Sequence, residues 1–317
     1  MKNINVNKSN YISSKTNVFV VNDNVKVVAS GNEELPAYVY AQSNNAEVVC
    51  FEEGAQIYGD SSETVYENPS EFNPATGSKF VTFGDSAIIC PGNKSVNCAL
   101  GDNTIFYTGY ELLGSQSLIP ENGYHDKYKF LEDSICFSSG EESTIYTSPV
   151  EYCVRNTKLI STGKNSHIYD YSPSTNNIIV STGERTRVSS NGCKTVLSTG
   201  NYFYADINNE SLNQEVDDLV EKQTIVCLGE GNRIITHFRS TVIVKDTIEW
   251  VKCDRSSVLA ILTKIDNRPD VLLFYTEDDN GEYPNDIKGN QRINSFKYYR
   301  LNSNKELEIV IDPNHQP

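Results

Sequence analysis

Between Asn156 and Ile207 the tripeptide STG occurs three times, at Ser161–Gly163, Ser181–Gly183 and Ser198–Gly200, with SNG at Ser190–Gly192 between the last two. Gly183, Gly192 and Gly200 stand 9 and 8 residues apart, and each follows a short β-branched or aliphatic run: Ile178-Ile179-Val180, Val188 and Val196-Leu197. Gly84, Gly92, Gly101 and Gly109 keep the same beat, spaced 8, 9 and 8. A strand of about five residues closed by a glycine turn cannot bury its apolar side chains alone, but stacked units bury a continuous column. Glycine reaches positive φ without a Cβ clash, so each STG or SNG is read as a sharp corner. The competing fold is an antiparallel sandwich, whose turns recur every 8–12 residues or so. Because these turns repeat in chemistry as well as in spacing, the expected fold is all-β: a single-stranded β-solenoid (β-helix).

The rhythm assigns the rest of the chain. Residues 1–16 are polar and are expected to lie along the first coil. The solenoid is expected over 17–245, with insertions near 60–79, 110–131 and 208–223, where the apolar beat lapses. The last of these holds one short helix, Ser211–Lys222, in which Ser211 and Gln214 resemble a capping box and Leu212, Val216, Leu219 and Val220 form a stripe. From about Thr247 the texture changes to longer alternating runs joined at Asp266-Asn267 and Asp279-Asn280-Gly281. Residues 246–317 are therefore read as a small antiparallel β cap that covers the open edges of the last coil.

Composition narrows the function classes. The 317 residues hold 19 Tyr and one Met, and the net charge is −15. Residues 246–317 carry −4 of that charge and the first 245 residues −11. Such acidity argues against direct binding to nucleic acid or to an anionic membrane. The start, MKNINVNKSNYISSKTNVFVV, has no apolar h-region, so the expected location is cytoplasmic, export by a signal-less route remaining open. The eight cysteines show no CxxC and no paired metal spacing, and are read as reduced, small apolar fillers, with Cys90 and Cys98 stacked on neighbouring strands.

The segment GDSAIICPGNKSVNCALGDNTIFYTG, the three STG turns and the tail Phe296–Leu301 before Leu307–Val310 resemble a loosely defined family of phage and bacterial proteins. Its members carry runs of roughly octad SSG or STG units that end in a short tail. This chain departs from the pattern in its degenerate units, two large insertions and the lack of a Cys/His-bearing N-terminal module. The resemblance implies a β-solenoid and an association with phages or other mobile elements; it implies no reaction.

No GxGxxG opening a helix, GxxxxGK[ST], GxSxG or HExxH is present, so no cofactor is implied and the reading leans away from an enzyme. The histidines His167 and His237 sit in strand-like contexts and are read as wall residues. Candidate binding residues are the carboxylate pairs Glu52 and Glu53, Glu141 and Glu142, and Asp217 and Asp218, with Tyr124, His125 and Tyr128 of the second insertion. Two function classes follow. One is a non-enzymatic interaction protein, an acidic rod docking on a basic protein, with nucleic-acid mimicry as its sharpest form. The alternative is a carbohydrate-binding, carbohydrate-active or adhesive solenoid, using tyrosines as sugar platforms and carboxylate pairs across a groove.

Overall fold

A computed structural model describes residues 3–6, 11–13, 17–20, 22–30, 36–41, 43–59, 76–108, 131–147, 154–170, 176–191, 193–207, 223–237, 239–285 and 287–311. They form a β-solenoid with two strands per coil. Alternate strands in the sequence enter two long sheets, each with twelve parallel strands. Sheet 1 runs from Asn3–Val6 to Trp250–Lys252, and sheet 2 from Tyr11–Ser13 to Val258–Ile265. Ile88 pairs with Ile105 and Arg187 with Tyr204, so one undisturbed coil takes 17 residues. The 8–9 residue beat is thus half a coil, and residues that stack are two units apart in the sequence. Cys90 and Cys98, one unit apart, consequently fall in different sheets rather than on neighbouring strands. Cys98 points outward and is half-buried.

Side chains alternate along each strand, and two inward columns fill the rod. Ile89, Phe106, Ile145 and Ile168 belong to sheet 1, and Phe80, Leu159, Ile179 and Ile225 to sheet 2, all fully buried. Truncating one of the isoleucines or Leu159 to Ala removes contacts on both sides of the rung, at a cost of about 2–5 kcal/mol.

The STG triplets sit where sheet 2 passes into sheet 1. Ser161, Ser181 and Ser198 are the last inward residues of their strands, each at most 2 % exposed. The threonine opens a five-residue turn, and the glycine follows. Turns of this length recur at 83–87, 100–104, 139–143, 162–166, 182–186, 199–203 and 228–232. Their glycines, Gly84, Gly101, Gly140, Gly163, Gly183, Gly200 and Gly229, form a ladder, and none has a positive φ. The reason for glycine is close approach instead. A Cβ on Gly183 would stand 1.9 Å from the carbonyl oxygen of Gly163, and one on Gly163 would stand 1.8 Å from that of Gly140. Positive φ falls two residues later, on Ser86, Asn103, Glu142, Asn165, Arg185 and Tyr202, at 54–57°. That conformation aims each N–H along the rod: Asn103 donates to the Glu141 carbonyl at 2.8 Å and Arg185 to the Asn201 carbonyl at 2.9 Å. Expected corner Gly92 lies on the opposite edge, between Cys90 and Val96; Gly192 lies outside the described residues.

Parallel pairing does not stop at residue 245. Trp250–Lys252 pairs with Arg233–Ile235 and Val258–Leu262 with Thr241–Lys245, adding one coil before the chain reverses. Antiparallel strands then close both sheets: Tyr298–Leu301 and Leu307–Val310 extend sheet 1, and Arg268–Tyr275 extends sheet 2 through the Asp266-Asn267 turn. Pro269, which has no N–H to offer, sits on the new outer strand. Residues 60–75, 109–130 and 208–222, which hold most of the three expected insertions and the expected helix Ser211–Lys222, lie outside the described residues.

Candidate interaction edge

Four consecutive short turns bring the first two carboxylate pairs onto one edge. Turns 51–55 (FEEGA), 83–87 (FGDSA), 100–104 (LGDNT) and 139–143 (SGEES) stack in register. They hold Glu52, Glu53, Asp85, Asp102, Glu141 and Glu142 and no lysine or arginine. At about 4.8 Å per rung they span roughly 14 Å. Glu52 and Glu53 are therefore too far from Glu141 and Glu142 to act as a glycosidase pair, which needs about 5–9.5 Å.

The row is held stiffly. Asp85 Oδ1 accepts the Asp102 N–H at 2.8 Å, and Asp102 Oδ1 accepts the Glu141 N–H at 2.7 Å. Glu52 Oε1 accepts the Ala37 N–H at 3.0 Å, while its Oε2 is shielded and accepts no hydrogen bond among the described residues. Beside the carboxylates, the first residue of each of the leading three turns is apolar and exposed: Phe51 at 56 %, Phe83 at 45 % and Leu100 at 38 %. The two phenylalanine rings stack at 5.0 Å with 12° between their planes. An apolar anchor rimmed by fixed charge is the anatomy of a protein-docking patch. Sequence reasoning found the four glutamates but missed Phe51, Phe83, Leu100, Asp85 and Asp102. The signal was present in the strings FGDSA and LGDNT, 17 residues apart, which put an apolar residue and an aspartate at matching places of successive turns. The remaining candidates, Tyr124, His125, Tyr128, Asp217 and Asp218, lie outside the described residues.

The two outer faces differ from this edge. Sheet 1 carries a tyrosine row, with Tyr40 and Tyr58 stacked at 5.2 Å and Tyr107, Tyr146 and Tyr169 in edge or tilted contact at 6.1 and 6.3 Å. Rings stacked on each other turn their faces along the rod, so Tyr40 and Tyr58 do not offer them to a sugar. His167 packs on Tyr169, whose hydroxyl lies 3.2 Å from its Nδ1; burial, aided by Arg187, holds this imidazole below its ordinary pKa. His237 Nε2 lies 3.2 Å from Asp206 Oδ1. On sheet 2, Glu47 is clasped by Lys26 at 2.8 Å and Lys79 at 3.2 Å, and their hydrogen bonds pull its pKa down.

Burial pushes the thiols of Cys136, Cys193 and Cys253 up to about 12, so they act as packing and not as nucleophiles. Among the described residues, no group of three or more His, Cys, Asp or Glu could hold a metal ion, and no helix is long and apolar enough to cross a membrane. No family model, curated protein or solved structure matches the chain.

Proposed function

We propose that this chain is a non-enzymatic interaction protein that docks a basic protein along the edge formed by residues 51–55, 83–87, 100–104 and 139–143. The observation that carries the reading is the pairing of six cation-free carboxylates with the stacked Phe51 and Phe83 on one rigid edge. The phenylalanines supply desolvated contact area, and the carboxylates steer a cationic partner and fix its register. A partner that ordinarily grips a phosphate backbone fits such a line of negative charge, in keeping with the phage or mobile-element association implied by the STG resemblance. The carbohydrate reading rests on the tyrosine row of sheet 1, whose stacked members have their ring faces covered.

The test is affinity capture on the full chain from a bacterial lysate, at low and then high salt. A basic protein should be retained, released by salt and displaced by DNA. The triple change Asp85→Asn, Asp102→Asn, Glu141→Gln keeps side-chain oxygens for the turn hydrogen bonds and should lower retention about tenfold or more. Phe51→Ala with Phe83→Ala should do the same without altering the salt dependence. Retention indifferent to both sets overturns the proposal; binding to a polysaccharide array with no protein captured replaces it with the carbohydrate reading.

A further inference from the structure

From Val96–Ala99 onward the outer face of sheet 2 is largely aliphatic where that of sheet 1 is aromatic and polar. Cys98, Phe137, Ile160, Val180, Leu197 and Val226 form one outward row on six successive coils, each opposite the next in the pairing register. On sheet 1 the corresponding outward places after Tyr169 are taken by Ser189 and Asp206. Val96 and Leu197 are 46 % and 40 % exposed. From Val96–Ala99 to Ser240–Lys245, the charged side chains among the described outward strand residues are Lys158 and Lys245, both at strand ends, and their long stems can carry the ammonium to the rim. An apolar strip of this length on a chain of charge −15 marks a contact surface.

We infer that this face is where two copies of the chain pair, sheet 2 against sheet 2. Three observations select a second copy as the occupant. The first is area. The seven strands of the strip, at about 4.8 Å per strand and about 13 Å across, present roughly 400 Å², and the four flanking strands, with the Lys26–Glu47–Lys79 cluster as a polar rim at one end, bring the face to roughly 600 Å² a side. Two copies would bury roughly 1,200 Å², the lower end of a standard stable interface. The second is pitch. Side-chain rows at one rung per strand spacing interdigitate over ten steps only with a surface of the same spacing, and this face on another copy has it. The third is charge. The unpaired carboxylates stand on the short-turn edge, so the two aliphatic faces can meet about 10 Å apart without bringing those acidic edges into the contact. The pair is isologous, and it leaves the Phe51–Phe83 edge of each copy free.

Sedimentation velocity of the full chain across a dilution series tests this. A concentration-dependent dimer is expected. Leu197→Lys and Val96→Lys, at the two most exposed apolar positions of the face, should each raise the dimer dissociation constant at least about tenfold. Thr195→Lys, a polar-to-polar change on the same face, should weaken it too and keeps the test sound should an apolar-to-lysine variant misfold. Arg187→Glu on sheet 1 should leave it unchanged, and circular dichroism checks that every variant is folded. A monomer at all concentrations, a dimer indifferent to the three sheet 2 changes, or equal loss with Arg187→Glu would each overturn the inference. None of these outcomes bears on retention by the acidic edge, so the two readings fail separately.

Discussion

From Phe83 to Asn232 every passage from sheet 2 to sheet 1 is a five-residue turn, whereas the passages from sheet 1 to sheet 2 range from residues 237–239 to residues 109–134. The contrast comes from how closely the backbones approach. On the short-turn edge, glycine lies against glycine and each αL residue hydrogen-bonds to the next coil, so any added atom or residue meets main chain. On the opposite edge αL residues also bond to the next coil in the early rungs, where Asn24, Asn45 and Gly77 donate to the carbonyls of Asn44, Thr76 and Asn93 at 2.8–3.0 Å, but the links differ in length and the chain leaves and returns without disturbing the stack. From Phe83 to Asn232, variation in link length is thereby confined to one side of the rod. The candidate docking edge is on the other side, where six carboxylates hold fixed spacing.

The strongest test of this contrast puts the same substitution on both edges. Gly183→Ala forces a Cβ to within 1.9 Å of a main-chain oxygen and should cost more than about 4 kcal/mol, seen as a collapse of thermal stability or of folded yield. Gly77→Ala on the loop edge meets only the Asn45 side-chain tip, at 2.4 Å, and has φ +72°, so a loss of about 1–2 kcal/mol is expected. Equal losses would remove the distinction between the edges.

A smaller effect is expected where the glycine ladder ends. Seventeen residues after Gly229 stands Asp246, whose burial would raise its pKa but whose hydrogen bonds from Lys305 and Thr263, both at 2.7 Å, bring it below the ordinary value. Glu277 behaves alike: burial raises it, and hydrogen bonds from Ser295 and Tyr283 more than offset that. A depressed carboxylate stabilises the fold above its unfolded pKa and loses that contribution as pH falls through the folded value. The cap should therefore loosen below about pH 4, before the middle coils. Emission from Trp250, packed between Tyr204 and Tyr298, is the measurement. Asp246→Asn with Glu277→Gln should flatten the response.

The smallest effect concerns the αL position. Arg185 holds φ +57° where two other turns have asparagine, so Arg185→Asn should raise stability by about 0.5 kcal/mol, or roughly 1–2 °C in Tm. A change of the same sign and size at Arg187, in a strand, would show that charge and not backbone conformation is responsible.

Much of this architecture was readable in the spacing of glycines, because a rod repeats one local solution and each repeat restates it. What the spacing could not convey was the number of units per turn. With two units per coil the contact partner of residue i is i + 17, which is why Cys90 and Cys98 were paired in error. Gly84, Gly92, Gly101, Gly183 and Gly200 do stand at turns, Gly192 lying outside the described residues, but the reason differs on the short-turn edge: sequence suggests torsional freedom, whereas the ladder needs the absent Cβ. The site was half legible. Glu52-Glu53 and Glu141-Glu142 stand out as adjacent carboxylates, yet Asp85 and Asp102 are single residues and matter only once stacking is known. Phe51 and Phe83 carry no signal as residue types, because exposure is decided by the turn position.

The pairing register carries one more implication. Asp85 and Asp102 are 17 residues apart, and Asp102 and Glu141 are 39 apart, yet each pair is joined by the same hydrogen bond from a backbone N–H to an aspartate carboxylate and occupies adjacent rungs. Contour length and axial rise are therefore decoupled in this molecule. The rod works as a ruler whose graduations are coils, and additions on the loop edge leave the interval between neighbouring marks unchanged.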